Sequence, residues 1–326
     1  METQSQQLQT VPTWYYVTTM SFSLTQNATA AQLLSSLIPP MGPDISYQNA
    51  ILTGDPRCAA LFSGAQFAVT DSFAQFPDSG IVLGTGDATS LYNQDGTETY
   101  TVFDTPGDAD IAQGATEPSL DACTLQFEFQ CNNIAGGNLE MNYVFASDEY
   151  KEQITEGLGY ADVFGLLLNG VNIATVPGST DPVSVYTINH ITETEYFVFN
   201  NPRPGQAAFP LFEPDGFTKG LKAEGSILPG WNTMKIGIVD INDAYLDSWV
   251  FLEGGSFLCI PDPQMTFSPT PSPTPIPTTD VLDIPGGNCT GSACGGKQML
   301  TVVYCELSFW FQYQCLRSTF LVILLL

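Results

Sequence analysis

Apolar residues occupy every second position along Leu139, Met141, Tyr143 and Phe145, and again along Leu125, Phe127 and Phe129. Successive side chains of an extended chain point to opposite faces, so this period commits each run to a strand with one face in a core. Similar short runs, bounded by turn-forming residues, place strands near 45–52, 65–69, 80–84, 99–103, 123–131, 139–146, 163–168, 171–176, 183–188, 195–199, 234–239 and 248–258. Asn169-Gly170 lies between Leu166-Leu167-Leu168 and Val171, a hairpin signal because both residues tolerate positive φ. One helix is expected, from Thr29 to Leu37. Thr29 is its N-cap, Ala30, Ala31, Leu33, Leu34 and Leu37 form its apolar stripe, and Pro39-Pro40 ends it. Many short strands with one short N-terminal helix spell an all-β fold, a β-sandwich of jelly-roll type.

Charge narrows the partners. Eight Lys and Arg face 34 Asp and Glu, a formal net charge of -26. Nucleic acid is excluded, because phosphate neutralisation needs basic side chains. Divalent cations are the natural counterions of unpaired carboxylates. With 12% aromatic residues the chain is no disordered acidic tail; it can bury a core. A single histidine, His190, would have to carry any Ser-His-Asp or Cys-His chemistry, and a two-histidine zinc protease motif is absent.

Four of the eight cysteines lie in the main body, Cys58, Cys123, Cys131 and Cys259. Cys123 and Cys131 flank one period-two run, so their sulfurs share a face roughly 26 Å apart and cannot pair with each other. Two pairings remain, Cys58–Cys123 with Cys131–Cys259 or Cys58–Cys131 with Cys123–Cys259, beside the plainer reading of buried free thiols. No Cys-x-x-Cys pair points to structural zinc.

The order along the chain reads as an N-terminal tail at 1–20, a β domain at 21–260, a Pro/Thr-rich linker at 261–285 and a Cys-containing apolar tail at 286–326. The first twenty residues show no recognisable signal peptide. Ser-Pro-Thr-Pro repeats in the linker favour an extended stalk. The tail ends Leu321-Val322-Ile323-Leu324-Leu325-Leu326, which suggests membrane attachment, although Glu306 and Arg317 would be costly at mid-membrane. Asn27-Ala28-Thr29 and Asn288-Cys289-Thr290 make Asn27 and Asn288 glycosylation candidates.

Two acidic groups carry the chemistry. Ser147-Asp148-Glu149-Tyr150 ends an alternating run, and Asp162 precedes Val163-Phe164-Gly165. Asp240-Ile241-Asn242-Asp243, followed by Asp247, links two further apolar runs. Asp148, Glu149, Asp162, Asp240, Asn242, Asp243 and Asp247 are therefore candidate ligands of calcium, a hard cation that takes oxygen donors. The second group lacks the spacing of an EF-hand, since Tyr245 stands where that loop needs Gly. Asp148 and Glu149 with Asp162 or Asp215 would alternatively suit a glycosidase, with Tyr150, Tyr160, Trp231, Tyr245 and Trp249 as sugar-stacking rings. Gly84-Thr85-Gly86 is read as a turn rather than a phosphate loop.

Several motifs in order resemble the choice-of-anchor L domain. They are Leu52-Thr53-Gly54, Ser79 to Gly86, Tyr143 to Tyr150, Asp162 to Gly165, Val176-Pro177-Gly178, Asp215 to Thr218, and Asp247-Ser248 through Val250-Phe251-Leu252-Glu253 to Gly255-Ser256-Phe257. The similarity runs from about Thr29 to Phe257, with Asp148 standing where Glu is expected. It implies a β-rich, extracellular or cell-surface module, held there by varied C-terminal anchors, and supplies no activity. The expected function is non-enzymatic adhesion or recognition of surface glycans or proteins, with calcium as a stabilising ion. A polysaccharide hydrolase and a structural wall or coat component are the alternatives.

Overall fold

The computed structural model describes residues 21–40, 45–69, 74–91, 99–112, 115, 117–132, 134, 136–151, 154, 162–200, 207–262, 300–306 and 314–320. They fall into two units, within 1–266 and 267–326, each described by itself. The linker, the N-terminal tail, Asn288 and the apolar end 321–326 lie outside these residues or mostly so.

In the first unit two antiparallel sheets share one apolar core. The larger joins β1 (Ser23–Gln26), β3 (Ala59–Ser63), β4 (Ser79–Gly84), β13 (Ser248–Glu253), β6 (Gly137–Ser147), β10 (Gly216–Thr218) and β9 (Phe197–Phe199) in that order. β11 (Leu221–Ile227) and β14 (Leu258–Pro261) also pair with β6. The smaller runs β2 (Ile45–Thr53), β5 (Ser119–Cys131), β12 (Trp231–Ile241), β7 (Val163–Leu168) and β8 (Val171–Asn172). β6 is the axis of the larger sheet: β11 and β10 pair with it through Gly137 to Ser147, as do β14 and β13. A strand paired so fully has no open edge to manage.

The expected alternation is what fills the space between the sheets. Leu125, Phe127 and Phe129 of β5 and Met234, Ile236 and Ile238 of β12 meet Leu139, Met141, Tyr143 and Phe145 of β6, all fully or almost fully buried. Where strands read as unbroken apolar runs, both faces are covered. Val82, Val144, Ala146, Phe217, Trp249 and Phe251 line the far side of the larger sheet and pack against Phe209 and Phe212. Phe76 meets Phe212, Phe217 and Phe251 edge-on there, with centroids 5.2, 5.6 and 4.9 Å apart.

The helix, α1 (Ala30–Leu37), is built as its sequence requires. The Thr29 hydroxyl accepts from Gln32 N at 3.3 Å, and the Gln32 side chain accepts from Thr29 N at 2.8 Å. This reciprocal box satisfies donors that the first helical turn leaves open. Leu33, Leu34 and Leu37 are fully buried in the core, whereas Ala30 and Ala31 are not. The Asn169-Gly170 hairpin joins β7 to β8 with φ of 50° and 82° at its two turn residues, the positive values such a turn needs.

Both disulfides cross between the sheets, and the free-thiol reading and the second pairing are corrected. Cys58 bonds Cys123 and Cys131 bonds Cys259, with Cα separations of 5.9 and 6.1 Å. Cys58 leads into β3 and Cys259 sits in β14, both in the larger sheet, so β5 is stapled to the opposite sheet at two points.

Three expected strands are absent. Residues 65–69 hold a 3-10 turn, Ala65–Phe67, because Gly64 at φ 72° redirects the chain. Residues 183–188 form turns held by the Asn189 side chain, which donates to the Val185 and Tyr186 carbonyls. Residues 99–103 are extended but pair with no strand among the described residues, because carboxylates take up every second N–H group. Strands β1, β3, β10 and β11 were not anticipated. In the second unit a hairpin pairs β15 (Leu300–Glu306) with β16 (Gln314–Phe320), Leu300 opposite Phe320. Among the described residues no helix is long and apolar enough to cross a membrane.

Thr29→Ala is expected to cost about 1 kcal/mol of stability in denaturant unfolding, the usual worth of such a cap. Replacing Cys131 and Cys259 together by Ser removes a bridge across a long loop, and a loss of about 2–5 kcal/mol is expected in the same assay.

Candidate functional site

Strand pairing gathers the acidic residues at one end of the domain. Ser147, the last residue of β6, lies opposite both Ser248, the first of β13, and Gly216, the first of β10. Gly84, the last of β4, lies opposite Trp249. From the smaller sheet the start of β7 meets the end of β12, with Val163 opposite Val239. Residues just beyond these positions therefore share one region: Asp148 and Glu149 after β6, Asp162 before β7, Asp240 near the end of β12, Asp247 before β13, and Asp215 before β10. Thr85, after β4, donates to Asp162 Oδ2 at 3.4 Å and so joins the two sheets.

These carboxylates are not in water. Asp148, Glu149, Asp162, Asp240 and Asp247 are 1–3% exposed. The ion pairs seen among the described residues, Arg57–Asp55, Lys222 with Glu140 and Glu224, and Lys235 with Asp108 and Asp110, include none of these five. Burying an unpaired charge costs several kcal/mol, so the groups must be satisfied otherwise.

Backbone N–H groups of residues 99–105 do much of this. Thr99 N donates to Asp148 Oδ2 at 2.9 Å, and Thr101 N donates to Asp247 Oδ1 at 3.0 Å. Phe103 N and Thr105 N donate to the two oxygens of Asp121, at 2.9 and 2.6 Å. Every second N–H is thus bonded, at the spacing of a strand, but to side-chain carboxylates. The alternate residues Tyr100 and Val102 face outward, 64% and 48% exposed. The segment is a strap laid along the acid end. Return bonds from Asp247 N to Thr99 O at 3.0 Å and from Asp121 N to Thr105 O at 3.1 Å fix it there.

Other groups are bonded within the end itself. Asp148 Oδ1 accepts from Asp215 N at 3.2 Å, and Asp148 N donates to Asp247 O at 3.1 Å. Glu149 Oε2 accepts from Asp162 N at 2.9 Å. Asp162 and Asp240 lie one residue beyond the paired Val163 and Val239, on adjacent strands. Among these carboxylate oxygens Asp247 Oδ2 is fully buried and accepts no hydrogen bond from the described residues. Trp249 Nε1 and the Tyr143 and Tyr150 hydroxyls share that condition but can each donate.

Crowding and burial move the titrations. Burial, then the Asp215 charge, raises Asp148 well above the usual carboxylate range. Burial, then the charge on Asp162, does the same to Glu149 and to Asp240. Asp162 is raised to about 7 by burial, and Asp247 to about 8 by burial and the nearby Asp162.

The expected residues divide. Asp148, Glu149, Asp162, Asp240 and Asp247 come together, whereas Asn242 and Asp243 are half-exposed in the β12–β13 turn. Asn242 takes a left-handed backbone at φ 75°, and Asp243 Oδ1 accepts from Tyr245 N at 3.3 Å. Asp240 belongs to a strand rather than to a loop. Thr85, Asp121 and Glu213, whose buried carboxylate accepts from the Thr99 hydroxyl at 3.1 Å, were missed. A partial signal existed in Gly84-Thr85-Gly86: a side chain at Gly84 would meet the Trp249 ring, and one at Gly86 would meet the Asp247 carboxylate. Tyr150 and Trp249 are core residues, which corrects their reading as sugar-stacking rings; Trp231 and Tyr245 are exposed, and Tyr160 lies outside the described residues. His190 is exposed in a bend, and Asn27 is exposed ahead of the helix cap. Three surface pockets, around Lys222, Lys235 and Asn172, contain none of the buried acids. Among the described residues no three His, Cys, Asp or Glu side chains already converge on one point as a metal site.

Residues 21–258 match the family model described as the choice-of-anchor L domain, well over half of the chain. No curated protein and no solved structure matches.

The raised carboxyls carry a sign. Each holds its proton more firmly folded than unfolded, so its ionisation opposes folding as pH rises from the ordinary 3.8 toward about 7 for Asp162 and about 8 for Asp247. In chelator, the melting temperature is therefore expected to fall steadily from pH 5 to pH 8. Asp247→Asn keeps an acceptor for Thr101 N and removes one ionisation, so it is expected to flatten that slope. An unchanged slope in a calorimetric pH series would contradict this.

Proposed function

The chain belongs to the choice-of-anchor L family, which points to an extracellular, surface-anchored module and is not a family of enzymes; from this premise we propose that it is a non-enzymatic recognition or adhesion domain. Its sheets would follow a jelly-roll path, and the Pro/Thr-rich stretch would hold it away from the surface as a stalk. The partners would be surface glycans or surface proteins.

The observation that carries this reading is the pair of disulfides across the sheets. Such bridges persist in oxidising compartments and are rare where glutathione keeps thiols reduced. The acid end supports the non-enzymatic side. A glycosidase needs two carboxyl groups flanking a bound sugar. Here Glu149 is 3% and Asp162 2% exposed, and Glu149 is spent accepting the Asp162 N–H. Exposed side chains such as Tyr100, Tyr245 and Trp231 offer surface for contact instead.

Labelling intact cells with a membrane-impermeant amine reagent or an antibody should mark the protein. Maleimide should find no reactive thiol among Cys58, Cys123, Cys131 and Cys259 without reductant. Reactive thiols at these positions would defeat the extracellular assignment. Glu149→Gln and Asp162→Asn should leave any glycan binding in place. Polysaccharide hydrolysis by the wild type, lost in either folded variant, would establish the enzyme reading.

A further inference from the structure

We propose that the outer edge of the strap docks an extended, lysine- or arginine-bearing segment of a partner protein. That segment pairs with Tyr100 and Val102 as an added strand and sets its cationic side chains against the Tyr100 and Tyr245 rings. The site deepens the recognition reading above and rests on it for where the partner is met.

The backbone leads there first. The N–H groups of Thr99, Thr101, Phe103 and Thr105 are spent on the acid end, and the carbonyls of Thr99 and Thr105 accept from it. In an extended chain the N–H and C=O groups of the alternate residues point the opposite way. Those of Tyr100 and Val102 meet no backbone partner among the described residues. The strap is thus a strand with one edge held and the other open, and an open edge invites pairing with another chain. Two donors and two acceptors stand in the order that an antiparallel ladder uses. Asp104, left-handed at φ 57°, ends the run.

The side chains are equally exposed. Tyr100 is 64%, Val102 48% and Tyr245 63% exposed. The two tyrosine rings stand edge-on with centroids 6.4 Å apart. The strap bonds to Asp148 and Asp247 fix the backbone on either side of Tyr100, so the ring is offered from a rigid support. Tyrosines presented in this way are the residues that anchor interfaces.

Charge selects the occupant. Exposed Asp104 follows the open edge, and Asp243 accepts from Tyr245 N. Pro118 O accepts from Asn242 N at 2.9 Å, which sets exposed Glu117 beside the same turn. Arg57, whose guanidinium lies 4.7 Å from the Phe103 ring centroid, is bound to Asp55. On a chain of formal net charge -26 this edge attracts a cationic segment and repels a second copy of itself. The tyrosine faces give such cations a second attraction.

The full chain is titrated at physiological salt with a fluorescent eight-residue peptide that alternates lysine with valine or threonine. Saturable one-to-one binding is expected. Amide exchange at Tyr100 and Val102, fast in the free chain, should slow about tenfold in the complex. Tyr100→Ala combined with Tyr245→Ala should weaken the peptide about tenfold, with near-UV circular dichroism confirming that this surface variant folds. A peptide with proline at each valine and threonine keeps the charge but cannot pair, and should bind weakly without slowing those amides. Equal binding of the proline peptide, or of one with glutamate for lysine, would overturn the proposal. So would unchanged affinity in the folded double variant. Strap amides protected without peptide in a concentration-dependent dimer would assign the edge to a second copy instead. Glycan-array binding lost in the double variant, with no peptide binding by the wild type, would make the patch a glycan site and defeat the proposal. Peptide binding by a chain that surface labelling does not mark would leave the docking site standing and defeat only the extracellular reading.

Discussion

A buried carboxylate must receive hydrogen bonds or lose its charge, and the acid end is arranged around that necessity. Charge-assisted bonds from backbone N–H groups are the strongest that a neutral peptide can offer. The strap supplies them at period two, to Asp148, Asp247 and both oxygens of Asp121. The relation is mutual. A lone extended segment on a surface leaves half its N–H groups unpaired, and here those groups are the ones taken up. Strap and carboxyl groups each lower the other's penalty, which explains how an acidic chain can carry so many carboxyl groups indoors.

The sheets place these groups with little freedom. β6 is paired along both edges, so Ser147 cannot slip relative to Ser248 or Gly216 without turning its core side chains outward. The three residues that follow, Asp148, Glu149 and Tyr150, are consequently fixed in direction. Tyr150 goes into the core against Phe145 and Phe197, with ring centroids 6.3 and 4.8 Å away. Its burial pulls the two acids in behind it. The larger sheet needs cover on its outer face as well, and the phenylalanines at 209 and 212 provide it, just ahead of Asp215.

Much of this was legible. Period-two runs in β5, β6 and β12, the Thr29 cap and the Asn169-Gly170 turn are local signals, and local signals survive folding. The strap was legible in its spacing and misleading in its partner: alternation reports an extended chain, not what the chain bonds to. β11 was missed although Leu221, Ala223 and Ile227 alternate with Lys222, Glu224 and Ser226, because the apolar members are few and Gly225 interrupts them. Grouping of the acids was beyond sequence for a different reason. Asp162 and Asp240 meet only because β7 and β12 are neighbours, and nothing near either residue records that pairing. Asn242 and Asp243 looked equivalent to Asp240 as oxygen donors, but a single left-handed residue turns them outward.

The two bridges also set how the domain would answer a pull on its ends. Tension entering ahead of Cys58 crosses to Cys123, runs along β5 to Cys131, crosses again to Cys259 and leaves toward the C-terminal side. Everything between Cys58 and Cys259 apart from that stretch of β5 is shunted out of the load path. The acid end and its strap lie in the shunted portion, and only the residues ahead of Cys58 and the short span of β5 between its sulfurs stay in line with the pull. Covalent routing, rather than the strength of the sheets, would then keep the buried carboxyl groups in place under such a pull.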